Sequence, residues 1–230
     1  MVSKIDSVAI IPARGGSKGL PRKNLAEIGG QSLVSHALTF ARDSDLFGLI
    51  HLSTDSQEIA DEGDKLGLRP TFLRSANTSH DLASSTDVIR EVRTRLLDSG
   101  VSAQRFVLLE PTSPMRQLRF VAAAIAATRT HFDAAVTVSA VDVKFHPDKQ
   151  FVLSENGEIG FFSHLGRAIV ARQQLKPTYI RNGFCYVVTD EAVARGLDIF
   201  GSRCKAVICD VDYVNIDSQA DLDRCRLLMK

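Results

Sequence analysis

The chain has 230 residues, 44% of them hydrophobic and 24% charged, a composition that suits a folded globular protein of one sizeable domain. Its 28 basic and 27 acidic residues leave a net charge of +1, too even a balance for a broad nucleic-acid surface. Apolar runs such as Val121–Ala127 fall well short of the ~20 residues of a spanning helix, and the N-terminal apolar stretch is too short for a signal peptide, so no membrane partner is expected.

In chain order, Ser7–Ala13 reads as a buried strand: short, β-branched and stopped by Pro12 and glycines. Gln31–Asp43 has helical spacing, with Leu33, Ala37, Leu38 and Ala41 on one face. Leu49–Ser53 reads as a second strand. Ser56–Leu66 follows as a helix, with Ser56 placed to cap it and Gly67 to stop it. Thr86–Leu97 carries the 3.6-residue period through Val88, Ile89, Val92, Leu96 and Leu97. Phe106–Leu109 and Ala134–Ala140 read as strands, with a helix over Leu118–Thr128 between them. Strand–helix alternation of this kind predicts an α/β fold, a mostly parallel Rossmann-like sheet wrapped by helices.

Between residues 141 and 178 the rhythm breaks. Two strand-like runs, Gln150–Ser154 and Glu158–Phe162, flank Asn156-Gly157, a hairpin signal. The segment reads as an insertion into a single domain spanning 1–230. Its Phe145, Phe151, Phe161 and Phe162 offer more apolar surface than a free hairpin can bury, so a homodimer contact is expected there. Tyr179–Thr189 and Lys205–Cys209 return to strand, and Ser218–Met229 closes as a helix capped by Ser218.

Residues 11–25, IPARGGSKGLPRKNL, gather four cations (Arg14, Lys18, Arg22, Lys23) and three glycines directly after the first strand. Neither the Walker A spacing nor G-x-G-x-x-G is met. The physics is nonetheless that of an anion cradle. Glycines let backbone N–H groups approach closely, and the cations repel one another unless an anion joins them. Ligands of parallel sheets sit beyond the carboxyl ends of the strands, where this loop lies. The six histidines have no metal-ligand spacing. Cys185, Cys204, Cys209 and Cys225 lack a C-x-x-C pair and read as free thiols of a cytoplasmic protein.

The stretch Ile11–Leu25 closely resembles the opening motif of the CMP–sugar-acid synthetases, above all the acylneuraminate cytidylyltransferases. Further likenesses follow in order: Leu52–Asp55, Leu108–Arg116 (LLEPTSPMR), Arg172-Gln173, Tyr179–Gly183 and Ile216-Asp217, so the resemblance runs from about residue 6 to 228. It implies an enzyme that joins CTP to a sialic-acid-type 2-keto sugar acid, giving a CMP–sugar acid and pyrophosphate. By that likeness Arg14, Ser17, Lys18 and Lys23 hold the triphosphate, and Asn24 contacts the nucleotide near base and ribose. Arg74, Ala83 and Ser85 form a cytosine-recognition strip. Lys149 and Arg172 reach the sugar acid's carboxylate from the neighbouring subunit, and Tyr186 lines the sugar pocket. Asp217 binds Mg²⁺ (or Mn²⁺), and Arg14, Lys23 and Asp217 are the expected catalytic set.

Plainer roles stand beside these. Ser85 could cap the following helix, Arg172 could be surface and Tyr186 plain core. Asp55 is expected to accept backbone hydrogen bonds at its strand end rather than to catalyse. The sequence also departs from the family pattern at two places. Asn215 stands where an aspartate is usual, so the metal would have Asp217 and Asn215. Glu110 stands where many members carry glutamine facing the sugar; a carboxylate there suits an acceptor with an amine or another hydrogen-bond pattern, such as legionaminic or pseudaminic acid types. Rival readings are a Kdo-type substrate, a CTP-binding homologue with weak or no catalysis, and a phosphatase built on Asp210-Val-Asp-Tyr-Val214.

Overall fold

The computed structural model describes residues 3–16, 19–80 and 82–230. In chain order the strands and helices are β1 Ser3–Pro12, β2 Glu27–Ile28, β3 Gln31–Ser32, α1 Leu33–Asp43, β4 Leu49–Ser53, α2 Gln57–Lys65, α3 Ala76–Ser79, α4 Ser85–Asp98, β5 Val101–Leu108, α5 Leu118–Ala127, β6 Ala134–Ala140, β7 Phe151–Leu153, β8 Ile159–Phe161, β9 Tyr179–Thr189, α6 Asp190–Ala194, β10 Cys204–Ile208 and α7 Gln219–Leu228.

Six strands form the central sheet in the order β10-β6-β9-β5-β1-β4. β4, β1 and β5 pair in parallel, as do β6 and β10. β9 runs antiparallel to both β5 and β6. The expected mostly parallel α/β fold is therefore present. Register brings the ends of β1, β4 and β5 level: Pro12 pairs with Ser53 and Ile10 with Leu108. The loops after these three strands consequently open on one rim.

Alternation along the strands feeds two apolar layers. Ala9, Ile11, Val107 and Val187 face α1, α2 and α5; Val8, Ile10, Phe106, Leu108 and Val188 face α4 and α6. A third cluster gathers Ile28, Leu33, Val214, Ile216, Leu222 and Cys225. It clamps the chain before α7 onto the β2–β3 turn. Ile216 is fully buried there, which contributes about 1.5–3 kcal/mol and carries its neighbour Asp217 to the rim.

Several elements differ from expectation: α3 had no expected counterpart, and β1 and β5 begin earlier, at Ser3 and Val101. Gln31 and Ser32 pair with Ile28 and Glu27 as a short hairpin turned by Gly29-Gly30, so the helix begins at Leu33, with Ser32 as its cap. α4 begins at Ser85, but its cap is Ser84, in a box with Asp87. α6, capped by Thr189, follows β9 and had no expected counterpart. The 141–178 segment does form the hairpin β7–β8, with Gly157 at φ 85°, flanked by single 3-10 turns. Among the described residues no helix is long and apolar enough to cross a membrane.

Candidate active site

The loop after β1 is built to turn sharply. Arg22 adopts a left-handed conformation, φ 55°, ahead of the single 3-10 turn Lys23–Leu25. The turn sends Arg22 outward, where it pairs with Glu58, and Lys23 and Asn24 inward. Among the described cations of the motif, Arg22 thus belongs to the surface. Asn24 is buried and its Nδ2 donates to the Arg14 carbonyl at 2.9 Å, tying the two ends of the loop together. Gly15 N–H donates to Asp55 Oδ1 at 2.7 Å, the strand-end role expected for Asp55. Ser17 and Lys18 lie outside the described residues.

At the far end of the chain, Asp217 meets this loop. Its Oδ1 accepts from Lys23 Nζ at 2.7 Å. Gly19 packs so closely on the Asp217 carbonyl that a Cβ would stand 2.5 Å from it, so a side chain at 19 would push the two segments apart. Asn215 precedes the buried Ile216, whose N–H donates to the Thr112 carbonyl at 2.8 Å. The 212–217 segment is thereby tied to the loop after β5.

Arg14, Lys23, Asn24, Arg74, Ala83, Ser85 and Glu110 line one cavity of about 210 Å³, together with Pro12, Val88, Pro111 and Thr112. Arg74 is held in place by three contacts: Nε to Ser53 Oγ at 3.1 Å, a terminal nitrogen to the Ser53 carbonyl at 2.7 Å, and the other to the Thr78 carbonyl at 3.4 Å. Burial pulls the Arg74 guanidinium below its ordinary pKa; Asp55 and Glu91 oppose the shift and the Arg14 charge adds to it. Arg14 and Arg74, with Lys23 on the same lining, therefore crowd positive charge into one small space, the arrangement an anionic ligand relieves. With Ser84 serving as cap, Ser85 faces the cavity without that competing duty.

Glu110, half-buried at the end of β5, is the carboxylate among the lining residues. Burial pushes its carboxyl above the usual range, Asp217 adds to the shift, and Arg116, Arg181 and Lys23 oppose it. Gly183, at φ 75°, makes room for it: a Cβ there would stand 2.6 Å from Glu110 Oε2. Arg116 underpins the same loop. It is buried, donates to the Glu110 carbonyl and, through Nε, to the Phe184 carbonyl at 3.2 Å, and burial lowers its pKa to about 10.

Other expected site residues fall elsewhere. Tyr186 is 5% exposed in the apolar layer under α4, as its plainer role had it, and burial and then the Glu110 charge push its hydroxyl pKa up. Lys149 and Arg172 are exposed and line a separate cavity of about 260 Å³ in the insertion, with Phe151, Phe161 and Ile169. Asp210 and Asp212 line another of about 630 Å³, and Asp210 pairs with Arg119 at 2.9 Å. Asp210 thus follows the edge strand β10, far in the sheet order from β1, whereas the box of the phosphatase reading normally follows a first strand.

Residues 8–226 match the family described as cytidylyltransferase. The chain belongs to the cytidylyltransferase family. An N-acylneuraminate cytidylyltransferase of Streptococcus agalactiae serotype V is 30% identical over 93% of this chain and 51% of its own length. The chain thus spans about half the length of that relative. A pseudaminic acid cytidylyltransferase of Campylobacter jejuni is 28% identical over 97% of this chain and 96% of its own. A CMP:2-keto-3-deoxy-manno-octonic acid synthetase complexed with CTP shares the fold, with a TM-score of 0.71 at 20% identity over 97% of this chain and 98% of that one.

For this cytidylyltransferase-family chain, reading the sequence missed Arg116, Gly183 and Arg181 as parts of the site. Arg116 had a signal, a cation at the end of the LLEPTSPMR stretch just ahead of an apolar helix. Gly183 and Arg181 lay within the Tyr179–Gly183 likeness but were not singled out, because the closeness of Gly183 to Glu110 and the effect of the Arg181 charge on it depend on the antiparallel course of β9.

Proposed function

We propose that this chain transfers a cytidylyl group from CTP to a 2-keto sugar acid of the sialic-acid type, giving a CMP–sugar acid and pyrophosphate. The anomeric C2 hydroxyl attacks the α-phosphorus; a new O–P bond forms, the bond to the pyrophosphate oxygen breaks, and the hydroxyl proton leaves to a solvent base. One observation carries the reading. The glycine-rich loop and Asp217, from opposite ends of the chain, meet through Lys23 at a cavity that Arg14, Asn24, Arg74, Ala83 and Ser85 also line.

The protein's task in such a transfer is positioning and charge neutralisation. Arg14 and Lys23 hold the triphosphate, aided by Ser17 and Lys18 of the same loop. Asn24 orders the loop beneath the nucleotide, and the 74–85 strip reads the base. Asp217 and Asn215 offer one carboxylate and one amide oxygen, and among the described residues no group of three or more His, Cys, Asp or Glu could hold an ion by itself. That donor set fits Mg²⁺ or Mn²⁺ arriving with the nucleotide, since Mg²⁺ is typically bound through few carboxylates plus phosphate oxygens and water. When bound, the ion supplies positive charge to the phosphate oxygens.

The 28% identity to a pseudaminic acid enzyme and the Glu110 carboxylate together favour an acceptor carrying hydrogen-bond donors near that group. A second copy of the chain would cover Phe145, Phe151 and Phe162, each more than half exposed, and bring Lys149 and Arg172 to its neighbour's acceptor site. Light scattering is expected to give twice the chain mass, and a monomer overturns that arrangement.

The deciding assay is pyrophosphate release with CTP against N-acetylneuraminate, legionaminate, pseudaminate and Kdo. Release is expected to require both substrates and to stop with a chelator. CTP binding with no release for any acid would leave a nucleotide-binding homologue and defeat the enzyme reading; release with Kdo alone would move the acceptor class.

A further inference from the structure

Behind the 74–85 strip, on the side away from the cavity, Glu91 of α4 holds the α3 turn. One carboxylate oxygen accepts from Ser75 N–H at 2.9 Å and the other from the Thr78 hydroxyl. Thr78 is buried, and its carbonyl is one of the three acceptors that fix the Arg74 guanidinium. The Ser75 and Thr78 hydroxyls lie 3.3 Å apart, and Arg74 N–H donates to the Thr54 carbonyl at 2.7 Å. A chain of contacts therefore runs from Glu91 through Thr78 to Arg74.

We infer that Glu91 is a positioning residue for base recognition, fixing Arg74 and the turn after it from behind. The inference rests on the reading that CTP occupies the cavity. Ser85 and Val88, which line the cavity, and Glu91 follow one another at three-residue spacing on α4. This helix is anchored by its Ser84–Asp87 capping box and by buried Val88, Ile89, Val92 and Leu96. One rigid element thus places Ser85 at the cavity and braces the segment after Arg74 through Glu91. Glu91 itself does not line the cavity; it lines a separate groove of about 580 Å³ with Asn77, Thr78 and Arg95. It acts through other residues. With Asp55 it is also one of two carboxylates whose charge acts on Arg74. Removing it takes the acceptor from the Ser75 N–H, leaves the Thr78 hydroxyl with only the Ser75 carbonyl and hydroxyl, each at 3.3 Å, and weakens the negative charge behind Arg74.

The test is calorimetric titration of the wild-type chain, Glu91→Ala and Glu91→Gln with CTP and with UTP, alongside steady-state kinetics. Glu91→Ala should weaken CTP about tenfold, the scale of losing a hydrogen bond to a charged group, and should narrow the preference for CTP over UTP. The kcat at saturating CTP and the KM for the sugar acid should stay near wild type. Glu91→Gln keeps an acceptor oxygen and should recover part of the loss. A Glu91→Ala protein that binds CTP as tightly and as selectively as wild type overturns the inference, as does one that loses stability alone. Should Glu91→Ala fail to fold, an unchanged nucleotide preference in Glu91→Gln overturns it equally. A wild-type chain that does not bind CTP fails at an earlier point: the nucleotide reading falls, and the role of Glu91 with it.

Discussion

Lys23 and Asp217 stand 194 positions apart in sequence and 2.7 Å apart in space. The Asp217 side chain is 77% exposed, so the pair adds at most about 1 kcal/mol to stability. Its value is in where it puts a positive charge: on the inner wall of a cavity that already holds Arg14 and Arg74. This separates function from folding. Lys23→Ala should lower kcat about 10² to 10³-fold, judged by single-donor deletions at other charged transition states, while the melting temperature moves by no more than a few degrees. Steady-state pyrophosphate release and a thermal melt of the same preparation check both halves. Wild-type turnover in a folded variant would remove the loop from the triphosphate. Glu110 belongs to the same scale. Its carboxyl is raised by burial yet surrounded by Arg116, Arg181 and Lys23, so its surroundings hold both a penalty for its charge and partners for it.

Among the elements, those with an internal rhythm were legible. Leu49–Ser53, Ala134–Ala140 and Tyr179–Thr189 stand where β-branched and apolar runs put them, and the Asn156-Gly157 hairpin closes as its turn chemistry requires. Part of the candidate site was legible too: Arg14, Lys23, Asn24, Arg74, Ala83, Ser85 and Glu110, named from the sequence, line one cavity. What escaped lay in local turn and cap choices or depended on partners remote in sequence. Gln31 and Ser32 have helical neighbours but pair backward across Gly29-Gly30. Ser84 and Ser85 are adjacent serines, and the cap goes to the one with an acidic residue three positions on, Asp87; that S-x-x-D spacing was present to be read. Glu91 looks like any exposed helical glutamate until α3 folds against it. Lys149 and Arg172 line one cavity in the insertion, and a single chain does not bring them to the nucleotide cavity.

For the whole molecule, stability should carry the mark of His51. It is buried in β4, stacked on Phe72 at 4.4 Å between ring centres, and its Nε2 has no hydrogen-bond partner. Burial and then the Arg74 charge lower its pKa to about 4, with Glu91 opposing. The unfolded chain, with a histidine pKa near 6.5, takes up this proton first. Folding stability is therefore insensitive to the group above about pH 7 and declines as pH falls toward 4, by about 2 kcal/mol at pH 5. Urea unfolding at pH 7.5 and pH 5 measures the loss. In His51→Leu the difference between the two pH values should shrink by that amount, and an unchanged difference would assign the acid sensitivity to other groups.

The reversed course of β9 has a consequence for how the molecule is divided. Because β9 starts at the rim where β6 ends, the segment between them leaves and re-enters the sheet side by side, and Val141 N–H donates to the Thr178 carbonyl at 2.9 Å across that neck. The intervening stretch is a cassette with a single point of attachment. Its length and content can change without shifting any strand register, so under the reading proposed here the partner-facing and acceptor-facing parts are free to diverge while the nucleotide end keeps its form.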